Sequence, residues 1–226
     1  MLISYTHKFM FFHVAKVAGL SIREALKTYA QEPERFRIKR PPRYSGGEPN
    51  PLYDMWATGL LHAKARDARK ELPELVYDTF YKFAFVRNPW DWQVSMYHFI
   101  LREASHGRHR LVKSMAGFEE YLEWVIATKT PYARGAAKFQ KDMVTDQEGR
   151  LIVDFVGRYE NFARDFHQVC KVLDIEASAP QLNSTAHADY RSYYNQKTRK
   201  MVEEHFQEDI ELFGYSFDAC HGSASR

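Results

Sequence analysis

The chain has little cysteine: Cys170 and Cys220 are the two among 226 residues. They stand far apart and outside any metal-ligand spacing, which excludes a disulfide framework and makes a reducing compartment the simpler expectation. No apolar run approaches the 18 residues that mark a membrane-spanning helix, and residues 1–8 lack the pattern of a signal peptide. The expectation is a soluble, cytoplasmic protein that does not bind membranes. Excess charge is scarce too: 32 Lys and Arg against 29 Asp and Glu leave a net +3. That balance suits an anionic ligand but is far too weak to argue for nucleic acid. Neither Gly-x-x-x-x-Gly-Lys-Ser/Thr nor Gly-x-Gly-x-x-Gly occurs, so a standard triphosphate loop and a dinucleotide fingerprint are both excluded. Internal repeats and low-complexity tracts are lacking.

What is present suits one domain with a sizeable core. Apolar content is 45% and charged content 27%, ordinary for a globular chain, while aromatic content reaches 15%. Large rings therefore fill the core and are available to stack on a base.

The organising stretch lies near the start. An apolar run at 9–14 predicts a buried strand, and a helical pattern resumes at 22–30. Between them, Ala15-Lys16-Val17-Ala18-Gly19-Leu20-Ser21 reads as a tight turn. Strand, turn and helix in that order aim free backbone N–H groups and a positive helix end at an anion. Gly19 permits close approach of the backbone, Lys16 adds a full charge and Ser21 a hydroxyl. An ordinary turn carrying a surface lysine has the same local sequence.

Further along, residues 32–53 are rich in Pro, Gly and Arg, and the long loop is expected to span 32–58. Its Arg35, Arg37, Lys39, Arg40 and Arg43 are either a solvated face or the rim of a cleft. A helix is predicted at 60–72, stopped by Pro73. The alternating 80–86 run predicts a second strand. It leads into Arg87-Asn-Pro-Trp-Asp91, where Asn88 is a good N-cap and Pro89 a good first residue for a helix to about Glu103. A basic loop is expected at 105–113, a helix at 118–126, irregular chain at 129–147 and a third strand at 151–156. Phe162, Phe166, Val169 and Leu173 stand at helical spacing, with Cys170 expected in the core. A final helix is expected at 196–213, capped by Asn195 and ended by Gly214. Alternation of strands and helices predicts an α/β fold, a mostly parallel central sheet flanked by helices. Ligands in such sheets sit at the carboxyl ends of the strands. The Lys16 and Arg87 loops both lie there and should converge.

Two stretches resemble a known family. Phe12-His-Val-Ala-Lys-Val-Ala-Gly-Leu-Ser-Ile22 resembles the 5′-phosphosulfate loop of sulfotransferases that use 3′-phosphoadenosine 5′-phosphosulfate (PAPS). Phe83-Ala-Phe-Val-Arg-Asn-Pro-Trp-Asp-Trp-Gln-Val-Ser-Met-Tyr97 resembles their 3′-phosphate motif, with Arg87 and Ser95 eight positions apart. Val156-Gly-Arg-Tyr-Glu-Asn161 and Asp209-Ile-Glu-Leu-Phe-Gly-Tyr-Ser-Phe217 fit as well. The match is to the carbohydrate-type branch, family 2. It implies a P-loop-like nucleotide-binding fold, one sulfotransferase domain over 1–217 and a flexible tail at 218–226. The loop departs from the family's common Pro-Lys-Thr-Ala-Gly-Thr-Ser: Ala15, Val17 and Leu20 replace the Pro and both Thr, removing two hydroxyls.

Position by position, the resemblance implies that Lys16, Val17, Ala18, Gly19, Leu20 and Ser21 hold the 5′-phosphosulfate, and that Arg87 and Ser95 hold the 3′-phosphate. Arg158 is a further candidate there, with an ion pair to Glu160 or Asp154 as its alternative. Trp90 or Trp92 lies near adenine or in the core, the core being the plainer fate. Lys16 is also catalytic in this picture, neutralising charge on the leaving phosphate. The base is assigned to His62, whose surroundings His62-Ala-Lys-Ala-Arg66 resemble the family segment carrying one, with His13 and His98 as runners-up. PAPS is the implied co-substrate, no metal is implied, and the acceptor is a hydroxyl of a small molecule or glycan. A magnesium-dependent P-loop kinase and a non-catalytic nucleotide- or polyanion-binding module are the rivals.

Overall fold

A computed structural model describes residues 1–30, 44–45, 48–49, 62–132, 136–180 and 188–218. Most of the 32–58 segment with its arginines, and residues 219–226 of the tail, lie outside them.

The central sheet takes β1 (Leu2–Ser4), β2 (Phe9–Phe12), β5 (Tyr81–Val86) and β6 (Phe155–Arg158) in the order β1-β2-β5-β6. β1 runs antiparallel to β2, while β2, β5 and β6 are mutually parallel. β3 (Tyr44–Ser45) and β4 (Glu48–Pro49) form a separate antiparallel pair. The helices are α1 (Gly19–Leu26), α2 (Ala65–Glu71), α3 (Glu74–Thr79), α4 (Pro89–Arg102), α5 (His109–Lys113), α6 (Phe118–Ala127), α7 (Phe162–Leu173), α8 (Gln196–His205) and α9 (Gln207–Phe213). The protein is thus α/β with a mostly parallel sheet, as the alternation predicts.

Phe9, Phe11, Phe12, Phe83 and Phe85 are fully buried, so both central strands are covered on both faces and read as continuous apolar runs. The parallel strands end together at Phe12, Val86 and Arg158, and the Lys16 turn and Arg87 leave from that edge.

Several boundaries differ from expectation. The third strand begins at Phe155, because 151–154 turns aside: Leu151 bridges Thr145 and the Ile152 N–H bonds the Val144 carbonyl. It continues through Gly157, where a Cβ would fall 2.5 Å from the Phe85 ring, so glycine there makes room for its cross-strand neighbour. The expected basic loop holds α5, because Val112 is buried and His109 Nδ1 bonds the Ile100 carbonyl at 2.9 Å. Pro73 not only ends α2 but stands as N-cap of α3. The first helix starts three residues early, at Gly19, and ends at Leu26. The final helix breaks at Phe206, whose backbone leaves the helical region while its ring is buried against Phe139. The Asn195 capping box and left-handed Gly214 stand where expected.

Candidate active site

After β2 the backbone bends sharply. Lys16 and Ala18 both take left-handed conformations, φ 61° and 62°, without being glycine. Such residues cost about 1 kcal/mol or more each and persist only where their surroundings hold them, often beside ligands. The bend delivers α1 with its first turn pointing out of the sheet edge. Ala18 is its N-cap and no side chain caps it, which leaves a positive helix end available to an anion. Gly19 serves a contact the sequence does not reveal: a Cβ there would sit 2.0 Å from the His13 ring, so the close approach is that of the imidazole.

α4 supplies the opposite wall. The Asn88 side chain caps it by accepting from the Trp90 N–H, and Pro89 occupies the first turn. Trp92, Ser95 and Phe99 follow at i, i+3 and i+7, one stripe on the helix. Trp92 Nε1 donates to the Ala15 carbonyl at 2.7 Å, and the Lys16 ammonium lies 4.5 Å from the centre of the Phe99 ring. The turn therefore crosses this stripe above and below Ser95. Ser95 is 0% exposed, and its Oγ has no hydrogen-bond partner among the described residues. A buried hydroxyl left unbonded is a cost that native structures seldom carry without a use.

Arg87 closes the arrangement. Its Nε donates to Asp91 Oδ2 at 2.7 Å, its Nη1 to the Lys16 carbonyl at 3.4 Å, and its guanidinium lies 4.3 Å from the Tyr159 ring centre. The ends of β2, β5 and β6 thus meet through one side chain. Lys16 stands among like charges: burial first, then Arg102 and Arg87, push its ammonium down to about 8.

On the α1 side, His62 Nδ1 lies 3.0 Å from the His13 carbonyl, and the two imidazoles are 5.2 Å apart. A carbonyl oxygen only accepts, so Nδ1 carries the proton and Nε2 of neutral His62 is the bare acceptor. Burial lowers the pKa of His62, against the pull of that bond, and lowers His13 further, with His62 adding to the shift. Both are neutral at pH 7.

The remaining candidates separate. Ser21 is buried in the first turn of α1. Val17 is 0% exposed within the core, whereas Leu20 is 52% exposed. Arg158 is engaged elsewhere: Nη2 donates to the Phe213 carbonyl and the guanidinium stacks over Tyr215. Neither expected ion pair explains it, since Asp154 pairs with Lys82 while Glu160 accepts from the Asn88 N–H and the Tyr215 hydroxyl. His98 Nε2 bonds the Tyr193 hydroxyl at 2.8 Å. Trp90 and Trp92 are both core residues, with their indole N–H groups bonded to the Arg199 and Ala15 carbonyls. Sequence reasoning misses Asp91, Phe99, Tyr159 and Gln140. The helical spacing of 87, 91, 95 and 99 signals the first two; nothing local signals Gln140.

A 124-residue stretch is 27% identical to an uncharacterized protein of Archaeoglobus fulgidus, covering 54% of this chain and 92% of that one. The crystal structure of a sulfotransferase from Alicyclobacillus acidocaldarius aligns with a TM-score of 0.43 and 17% identity, over 93% of this chain and 96% of that chain. The model of the sulfotransferase family matches residues 1–216, nearly the whole length, and the chain accordingly belongs to that family, family 2.

Proposed function

We propose that the protein transfers the sulfuryl group of PAPS to a hydroxyl of a carbohydrate or other polar acceptor, by in-line displacement. Membership of the family gives sulfuryl transfer in general. The observation that carries the proposal is the union of the two loops: Arg87 Nη1 bonds the Lys16 carbonyl, and the unbonded Ser95 hydroxyl is buried where the Lys16 turn crosses α4. Two cations, an uncapped helix end and an orphaned hydroxyl suit a nucleotide carrying anionic groups at both ends.

On this reading Lys16, Ser21 and the amides of residues 17–20 hold the 5′ end, and Arg87 with Ser95 holds the 3′-phosphate. The nucleotide supplies an activated sulfuryl group, whose bond to the phosphate oxygen breaks as the acceptor oxygen bonds sulfur. His62 Nε2 takes the acceptor proton, and its tautomer is fixed for that purpose by the His13 carbonyl. Lys16 stabilises charge growing on the departing phosphate, worth about 3 kcal/mol for one well-placed donor. Family-2 resemblance alone supports carbohydrate. Arg158, engaged at the end of α9, has no part in the proposal.

The test pairs two measurements. Calorimetry with 3′-phosphoadenosine 5′-phosphate (PAP) should give binding at least tenfold tighter than ATP with Mg²⁺. Labelled sulfate should pass from PAPS to at least one member of a sugar and polyol panel. Preference for ATP with Mg²⁺ would favour a kinase, and PAP binding without transfer to any acceptor would favour a non-catalytic module.

A further inference from the structure

β5 ends at Val86, paired with Arg158, so the sheet ladder stops one residue before Arg87. The Arg87 peptide is nevertheless paired on both sides. Gln140 Oε1 accepts the Arg87 N–H at 2.9 Å, and Gln140 Nε2 donates to the Arg87 carbonyl at 2.7 Å. A single side-chain amide thus does for Arg87 what a neighbouring strand does for the residues before it. The next N–H, of Asn88, is taken by Glu160 Oε1 at 2.6 Å. Gln140 is fully buried, and its own peptide is gripped in turn: Asp209, in the first turn of α9, accepts the Gln140 N–H with Oδ2 at 2.9 Å and the Lys141 N–H with Oδ1 at 2.8 Å. Asp209 is also fully buried.

We propose that Gln140, held by Asp209, is the positioning residue that sets the backbone of Arg87 and hence the direction of its guanidinium towards the 3′-phosphate. This rests on the assignment of Arg87 to that phosphate. A guanidinium is a planar fork whose value depends on its angle of presentation. Its stem leaves a peptide at the point where the chain exits the sheet and enters a helix cap. A buried amide that bonds both polar groups of that one peptide fixes the starting vector. Asp91 and the Tyr159 ring then hold the far end. Core packing alone would require no bidentate match to a residue whose side chain leads into the site.

The experiment compares Gln140→Met, which keeps the shape and loses both bonds, with Arg87→Ala and the double variant. PAP and AMP affinities are measured by calorimetry on the full chain, with thermal melts alongside. Gln140→Met should weaken PAP about tenfold and leave AMP within about twofold, and Arg87→Ala should cost less in its background than in the wild type. Equal losses for PAP and AMP, or full additivity of the two changes, would overturn the inference. If Arg87→Ala itself fails to separate PAP from AMP, the 3′-phosphate assignment has failed instead. Should Gln140→Met not fold, Asp209→Asn leaves Gln140 in place and withdraws one of two acceptors. It should lower PAP affinity in the same direction by a smaller factor and spare AMP; no change for PAP would count against the proposal.

Discussion

Lys16 offers a sharp perturbation, because its ammonium is held down to about 8 by burial and by Arg102 and Arg87. In the free protein at pH 8 it is about half charged, at pH 7 about nine-tenths charged and at pH 9 about one-tenth. An anion laid against it restores its proton. Binding of PAP should therefore take up about half a proton at pH 8 and about 0.9 at pH 9, but only about 0.1 at pH 7. The nucleotide phosphates, with second pKa values near ~6, are already ionised in this range, and His13 and His62 are already neutral. Affinity should accordingly fall nearly tenfold per pH unit once well above pH 8, as should kcat/KM for the donor. Calorimetry in buffers of different ionisation enthalpy reads the uptake directly. Lys16→Arg keeps its charge at every pH used and subtracts any contribution from the N-terminal amine. Heat at pH 8.5 that does not depend on the buffer, or the same uptake in Lys16→Arg, would refute the reasoning.

Four further outcomes follow from the geometry. Ser95→Ala deletes a buried hydroxyl that has no partner among the described residues. It should leave the melting temperature unchanged or raise it, while PAP affinity falls about tenfold or more; a loss of stability instead would show the hydroxyl to be structural. His62→Ala should abolish turnover with PAP affinity near wild type, and surviving turnover would place the base elsewhere. Ala18→Gly relieves a left-handed φ of 62° and should stabilise the protein by about 1 kcal/mol, a rise of about 2–4 °C in Tm for a chain of this size, whereas an unchanged or lower Tm would mean that no strain resides there. Asp209 is pushed from 3.8 up to about 7 by burial, against the Lys141 and Gln140 N–H bonds that pull it down. Between those pH values the folded protein holds a proton that the unfolded chain has lost. Stability from this group therefore falls as pH rises from about 4 to 7, by about 3 kcal/mol. Urea titrations at pH 5 and 7 should show this loss reduced in Asp209→Asn, and identical slopes would exclude it.

The frame and the two loops are legible in sequence because their signals are local. Phe9–Phe12 and Tyr81–Val86 are apolar runs bounded by abrupt polar turns, and Asn88-Pro89 is a helix start that needs no tertiary context. What stays hidden depends on partners distant in the chain. Gln140 sits in irregular chain 53 positions from Arg87, Asp209 is 69 from Gln140, and Glu160 is 72 from Asn88. Gly157 reads as a strand breaker until the Phe85 ring is seen lying against it, and Phe206 continues an apolar stripe that the backbone interrupts. The same distinction resolves the two loop positions that lack the family's hydroxyls. Val17 is wholly buried among apolar side chains, so threonine there would place a hydroxyl in the core and position 17 serves packing. Leu20 is largely exposed on the first turn of α1 and leaves the backbone amides of that turn unobstructed by a side-chain acceptor. On the proposed reading, anion binding in this loop then falls on amides, Ser21 and the single ammonium of Lys16. A loop with fewer hydroxyls leans harder on charge, and the lysine that supplies it is held at a pKa where ordinary changes in pH switch it.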